Sequence, residues 1–269
     1  MNALIFSLLF GLFGWLYSVA KANVNIVDSM WSLFFVINAL CFAHFDPLGP
    51  NQTIVFSLVV IWAIRLTAYL CIRNAHKPED SRYQDIRRKY SPHFAVKSLF
   101  IIFIFQAILA LIISYPLYYI FNPINTSMIQ DIVVPISYLM IVLGIVYESI
   151  ADWQLHQFKK TKKSGEVCRT GVWAYSRHPN YFGELLIVWG IFINALMYGH
   201  IYILIAPLLM TYFLFKFSGA GLMEETIIHR KPHYKDYIQS TNSIFPWPPK
   251  INSQLIISSF ILFSERERI

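Results

Sequence analysis

Nine residues, Ser176-Arg177-His178-Pro179-Asn180-Tyr181-Phe182-Gly183-Glu184, bring together two cations, an amide, a phenol and a carboxylate. Pro179 suits the first turn of a helix, where its fixed φ fits and its missing N–H was unpaired anyway. Arg177 and His178 then stand at the mouth of that helix, whose free N–H groups attract an anion. Asn180 and Glu184 are four apart and Tyr181 and Glu184 three apart, so they share a face. A second row, Glu148, Asp152, His156 and Lys159, is spaced 4, 4 and 3 and also falls on one face. His156 and Lys159 suit a solvated helix end. Glu148 lies inside an apolar run, where a carboxylate is costly and needs a reason.

Two further polar residues interrupt apolar stretches. Arg65 precedes Arg73 by eight residues, about 12 Å at the helical rise, too deep for snorkelling alone. Its expected anionic partners are Asp28, Glu148 and Glu184. Asp28 precedes an apolar run and serves either as a helix cap or as an acid facing substrate beside Trp31. After the last apolar run come Glu224-Glu225, His229-Arg230, Tyr234, Tyr237 and the Pro-rich end Pro246 to Pro249.

The elements that must position these groups are hydrophobic rods. The chain has 269 residues, 56% hydrophobic and only 14% charged, where a soluble domain would be nearer a quarter charged. Apolar runs cover Asn2–Ala20, Trp31–Phe45, Thr53–Ile72, Leu99–Phe121, Ile132–Trp153, Tyr181–Tyr198 and Ile201–Phe217. The expected fold is an all-α polytopic membrane protein of about seven transmembrane helices, one integral domain over 1–269. A shorter run within 251–269 is too short to cross and is expected either to lie in the interface or to dock on the protein. Ala20-Lys21-Ala22 mimics a cleavage site, but no basic residue precedes the first run, so it is expected to stay as a helix.

Lys and Arg concentrate in Arg73–Lys97, Lys159–Arg177 and Lys216–Lys250, whereas Asp46–Gln52 and Asn122–Asp131 contain none. The positive-inside rule then places the N-terminus outside and the C-terminus in the cytoplasm. The net charge of +7 is a matter of loop placement and does not indicate nucleic-acid binding. Cys41, Cys71 and Cys168 are far apart with no Cys-x-x-Cys, so neither a metal site nor a disulfide framework is signalled.

A cytoplasmic cavity of cations, carboxylates and rings suits a soluble cofactor meeting a lipophilic substrate. A dinucleotide needs cations for its phosphates and acceptors for ribose and carboxamide groups. Arg177, His178, Lys159, Glu148, Asp152, Asn180 and Glu184 supply that inventory. Gly219-Ala220-Gly221 follows no strand and lacks a third glycine, which excludes a Rossmann domain.

Gly171 to Glu184, with Trp189-Gly190 and the ending Asp236-Tyr237 through Ile244-Phe245-Pro246, resembles the C-terminal region of the steroid 5-alpha-reductase superfamily. It is most similar to the uncharacterised bacterial membrane branch of that superfamily. The resemblance covers about 130–250 and is faint before that. It implies an NADPH-dependent membrane reductase that saturates a carbon–carbon double bond conjugated to a carbonyl, in a bacterial inner membrane. Asp152, Asn180 and Glu184 match family residues that hold the cofactor. Glu148 stands where the steroid enzymes carry asparagine, and Lys159 where they carry arginine. Arg65 matches an arginine of the family's third helix. The family's tail contacts, a His and a Tyr, fall near His229, Arg230 and Tyr234; Tyr181 and Glu224 complete the implied cofactor set. The N-terminal half departs from the pattern: Asp28-Ser29 stands near the family's Gln-Glu pair and Trp62 near its tyrosine, which puts steroid specificity in doubt.

The implied reaction builds charge on an enone oxygen, which needs a donor in a dry pocket. Asp28, if protonated, and Tyr69 are the expected catalytic donors. Two alternatives stand beside the reductase. Isoprenylcysteine and phospholipid methyltransferases share an Arg-His-Pro-x-Tyr core and a Glu-Glu with spaced tyrosines, and use S-adenosylmethionine. A non-enzymatic membrane binding or transport protein would also carry buried polar residues.

Overall fold

The first helix exposes its large apolar side chains and buries its small ones. In the computed structural model, α1 (Asn2–Lys21) presents Phe6, Leu9, Phe13 and Leu16 outward while Ala3, Ser7, Gly11, Gly14 and Ser18 are buried. That inversion suits a lipid surround, where small residues let helices approach and large ones face acyl chains. A Cβ on Gly14 would run into Met30 Sδ, so the next helix packs directly against this stripe.

The structure describes residues 2–44, 46–75, 77–123, 130–162, 165–218, 224, 227–228 and 234–250. Among these all regular structure is helical, with no strand. After α1 come α2 (Ile26–Phe42), α3 (Pro50–Asn74), α4 (Ser81–Lys89) and α5 (Phe94–Ser98). A π-helical segment, Leu99–Ile104, leads into α6 (Phe105–Ser114), followed by α7 (Pro116–Phe121), α8 (Gln130–Thr161) and α9 (Pro179–Leu196). Last are α10 (Ile205–Phe213), a π-helical segment over Leu214–Ser218, and α11 (Tyr234–Ser240). Among the described residues, four helices are long and apolar enough to cross a membrane: Asn2–Lys21, Pro50–Asn74, Phe94–Ser114 and Gln130–Thr161. Ile26–Phe42 and Ile201–Lys216 are apolar but shorter. The tail 251–269, expected in the interface or docked on the protein, lies outside the described residues.

The chain forms two compact units, one of 1–142 with 187–210 and one of 143–186 with 211–269. In the first unit, Trp62 is fully buried and meets Phe35 edge to face at 5.1 Å. Polar bonds stitch its helices. Ser7 Oγ donates to Asn38 Oδ1 at 2.7 Å, and Asn38 Nδ2 donates to Ser114 Oγ at 2.8 Å, joining α1, α2 and α6. Asn51 and Asn194 exchange reciprocal amide bonds at 3.1 Å, and Asn194 Nδ2 also reaches Ser137 Oγ at 2.8 Å.

The turns of this unit sort into two ends. At one end the α1–α2 turn meets the α3–α4 connection. Asn25 Nδ2 donates to Pro78 O at 3.2 Å, Asp80 N to Asn25 Oδ1 at 2.8 Å and Val24 N to Glu79 Oε1 at 3.0 Å. At the other, Gln52 Nε2 donates to Phe121 O at 3.2 Å and Asn122 Nδ2 to Phe42 O at 2.9 Å.

In the second unit, Ala151, Cys168 and Trp173 form a buried cluster with Leu155, Phe158 and Val172 against it. Trp173 Nε1 donates to Ala151 O at 3.0 Å and Val172 N to Gln154 Oε1 at 3.0 Å, fixing the turn Gly171–Ala174 on α8. Gly171 has φ +60, and a Cβ there would overlap the Gln154 amide. Both the left-handed backbone and the lack of room call for glycine.

Candidate functional site

Helix α8 runs unbroken to Thr161, so Glu148, Asp152, His156 and Lys159 occupy successive turns of one helix. Helix α9 opens at Pro179 as expected. The two meet through Gly183. A Cβ there would lie 2.7 Å from Gly144 O, 2.7 Å from Glu148 Cβ and 2.8 Å from Glu148 N. Glycine therefore lets α9 rest on the α8 backbone itself, and Glu184 follows one residue later. Glu148, Asp152 and Glu184 are all buried, at 3%, 4% and 8% exposure. Phe182 packs edge to face on Tyr147 at 5.4 Å and on Phe245 at 6.0 Å, in the same unit. Asn180 and Tyr181 are half-buried on the first turn of α9, and Lys159 is exposed on the last turns of α8.

Arg177 and His178 were expected to meet an external anion. Instead they hold the C-terminal segment. Arg177 Nε donates to Glu224 Oε1 at 2.7 Å and Nη2 to Glu224 Oε2 at 3.1 Å, a bidentate pair. Arg177 Nη1 donates to Ile238 O at 3.1 Å and to Thr241 O. His178 Nε2 lies 3.0 Å from Glu224 Oε1, and its ring stacks on Tyr181 at 5.3 Å. The backbone joins in: Arg177 N donates to Asn242 O and His178 N to Ser243 O, both at 2.9 Å. Ser176 Oγ donates to Ile244 O at 2.8 Å. The anion that the α9 mouth attracts is thus the protein's own Glu224.

Electrostatics agree with that assignment. Burial raises the Glu224 carboxyl, but hydrogen bonds from His178 and Arg177 outweigh it and hold the group below the usual carboxylate range. Burial first, and then the Glu224 charge, push the Tyr234 hydroxyl upward. Burial, with Tyr234 beside it, does the same for Tyr237, which stays protonated and donates to the carbonyls of Trp173 and Ser176. Tyr234 therefore belongs to this clasp, packed edge to face on Tyr237 at 5.6 Å. Arg230 and His229 lie outside the described residues.

The catalytic candidates belong to the first unit. Asp28 is neither a helix cap nor an isolated acid. The N-cap is Asn25, whose side chain makes no capping bond to the helix. Asp28 Oδ2 is 3.1 Å from Arg82 Nη2, and its Oδ1 accepts from Tyr83 OH. Burial and the adjacent Asp28 push the Tyr83 hydroxyl well up, so the phenol keeps its proton and donates it. Asp28 is therefore engaged by both a guanidinium and a phenol within the first unit. Tyr69 lies between two guanidiniums, with Arg65 at 5.7 Å and Arg73 at 5.9 Å from its ring centroid.

The residues that sequence reasoning missed are Ser176, Asn242, Ser243 and Tyr237 as parts of a clasp. Arg177 and Glu224 are 47 residues apart, so no local spacing pairs them. The opposite charges alone made the pairing available.

Fold and site together define an all-helical protein with membrane-length apolar helices and with three buried carboxylates, Glu148, Asp152 and Glu184, carried on the two helices that touch at Gly183. The chain belongs to a family described as protein of unknown function (DUF1295), whose model matches residues 14–241. No curated protein and no solved structure matches it.

Proposed function

We propose that this protein is an NADPH-dependent membrane reductase acting on a double bond conjugated to a carbonyl in a lipophilic substrate. The observation that carries the reading is the burial of Glu148, Asp152 and Glu184 where Gly183 brings α9 onto α8. Buried carboxylates are costly and mark binding or transport when they occur in membrane helices. The donor set fits a nucleotide in one respect: three acids and the half-buried Asn180 suit ribose hydroxyls and a carboxamide. For the phosphates, Arg177 and His178 do not fit, since both are engaged with Glu224. Lys159, exposed on the last turns of α8, is the cation proposed for that role.

A nicotinamide, when bound, supplies the hydride. The protein's part is recognition by these acids and exclusion of water by Phe182, Tyr147 and Phe245. The membrane arrangement proposed with it is seven spans in a bacterial inner membrane. The N-terminus is outside and the C-terminus cytoplasmic, as the distribution of Lys and Arg requires.

One observation favours a second reading. S-adenosylmethionine carries no phosphate, and the commitment of Arg177 and His178 to Glu224 suits a cofactor that needs fewer cations. Thermal-shift titration of the purified protein with NADPH and with S-adenosylmethionine separates the two. Stabilisation by NADPH alone supports the reductase; stabilisation by S-adenosylmethionine alone replaces it with a methyltransferase.

A further inference from the structure

Helix α4 has two unlike faces. Arg82, Tyr83, Ile86 and Arg87 turn inward. Arg82 pairs with Asp28 at 3.1 Å and Asp80 at 3.0 Å, Arg87 pairs with Glu79 at 2.7 Å, and the Arg87 guanidinium lies 4.4 Å from the Phe94 ring centroid. Gln84, Asp85, Arg88 and Lys89 are exposed on the other face. The acids at this end of the unit are thus spent inward, except Asp85. Its pair with Arg88 joins side chains 58% and 79% exposed, a setting in which ion pairs contribute little. Lys77 precedes α4 in the chain and Lys97 follows it; both are exposed, and Lys97 Nζ reaches back to the end of α4 by donating to Tyr90 O at 3.0 Å. Lys21 lies at the same end, because Arg87 Nη2 donates to Ala22 O at 3.4 Å.

The helix that carries Lys97 also carries an exposed apolar stripe. Val96, Phe100, Phe105, Ile108 and Ile112 are all exposed, at 58%, 59%, 46%, 42% and 39%. Their steps are 4, 5, 3 and 4, and the step of five spans the π-helical Leu99–Ile104. A π turn takes more residues than an α turn, which keeps the stripe in line. This stripe lies on Phe94–Ser114, one of the helices long and apolar enough to cross a membrane. The lysines therefore stand at the level where acyl chains end and phosphates begin.

We propose that the open face of α4, with Lys77, Arg88, Lys89 and Lys97, binds the headgroups of anionic phospholipids. Free phosphate would match the charges but has no use for the stripe beside them. The test uses the full chain in neutral detergent, with added phosphatidylglycerol, phosphatidylcholine or inorganic phosphate. Binding is read by thermal unfolding and by photo-cross-linking to a headgroup-labelled phosphatidylglycerol. Phosphatidylglycerol is expected to stabilise and to cross-link within residues 77–97. Each lysine contributes about fivefold to headgroup affinity, so K77Q/K89Q/K97Q weakens it about 100-fold. Should that variant not fold, K89Q alone is expected to lose about fivefold. In the wild type, about 1 M salt, where the Debye length is about 3 Å, is expected to abolish the response. A response to phosphatidylcholine or inorganic phosphate equal to that for phosphatidylglycerol overturns the proposal. So do insensitivity to salt and cross-links confined to other segments.

Discussion

Arg177 donates two hydrogen bonds, at 2.7 and 3.1 Å, to the carboxylate of Glu224. Both side chains are buried, at 10% and 9% exposure. A bidentate pair of this kind closes the segment ending at Lys250 onto the start of α9.

Removing one partner leaves the other charge buried. Glu224→Ala is expected to cost about 3–5 kcal/mol, visible as a large fall in the thermal midpoint in detergent. Arg177→Lys is expected to rescue little, because an ammonium cannot reproduce the fork that spans Glu224 and the carbonyls of Ile238 and Thr241.

The same pair sets a pH dependence. Burial raises the Glu224 carboxyl and the bonds from His178 and Arg177 lower it further than that, so its folded value is depressed. A depressed acid contributes stability above its unfolded value, about 4.3, and loses that contribution as pH falls through the folded value. Thermal midpoints of the wild type are expected to decline on acidification below about pH 4, and Glu224→Gln to flatten that decline. Parallel profiles for the two proteins would refute the assignment.

Gly183 is expected to be less replaceable than Gly11. Its Cβ would meet backbone atoms of α8 at 2.7 and 2.8 Å, whereas that of Gly11 would lie 3.3 Å from Phe103 O. Gly183→Ala must push α9 away from Glu148, at about 1–3 kcal/mol, and on the proposed function it also weakens cofactor binding as the acids move. Gly11→Ala should cost less. Unfolding midpoints of the two variants in one detergent decide the ranking.

Asn38 bridges Ser7 and Ser114 at 2.7 and 2.8 Å. Asn38→Ala removes both bonds, and interhelical bonds of this kind contribute about 0.6–2 kcal/mol in membranes. The loss should appear in denaturant unfolding. On the proposed function, nucleotide binding is expected to stay unchanged, because none of the proposed cofactor residues lies on α1, α2 or α6.

If the reductase proposal holds, Asp152→Asn removes the charge from one acceptor in the site. A hydrogen bond to a charged group contributes about 1.5–3 kcal/mol, so NADPH affinity should fall about 10- to 100-fold in equilibrium titration. An unchanged affinity would place the nucleotide elsewhere.

Much of the fold was legible in the order of residues. The start of α9 at Pro179 followed from proline's fixed φ, and the helical row Glu148, Asp152, His156, Lys159 followed from spacing on an apolar run. Boundaries were less legible. α2 starts at Ile26, five residues before the expected Trp31. The fourth run begins at Phe94 and passes through a π segment. An apolar pattern marks where lipid is met, whereas a helix extends into the polar turns that its hydrogen bonds can still hold.

By itself the sequence determined the all-helical character, the membrane-length helices and the rows of acids, because hydropathy and helical spacing are local properties. Tertiary structure alone decided which charges are available to a ligand. Arg177 meets Glu224 and Asp28 meets Arg82 across 47 and 54 residues. Chain proximity says nothing about such pairs, and a buried ion takes whichever opposite charge the packing brings within reach.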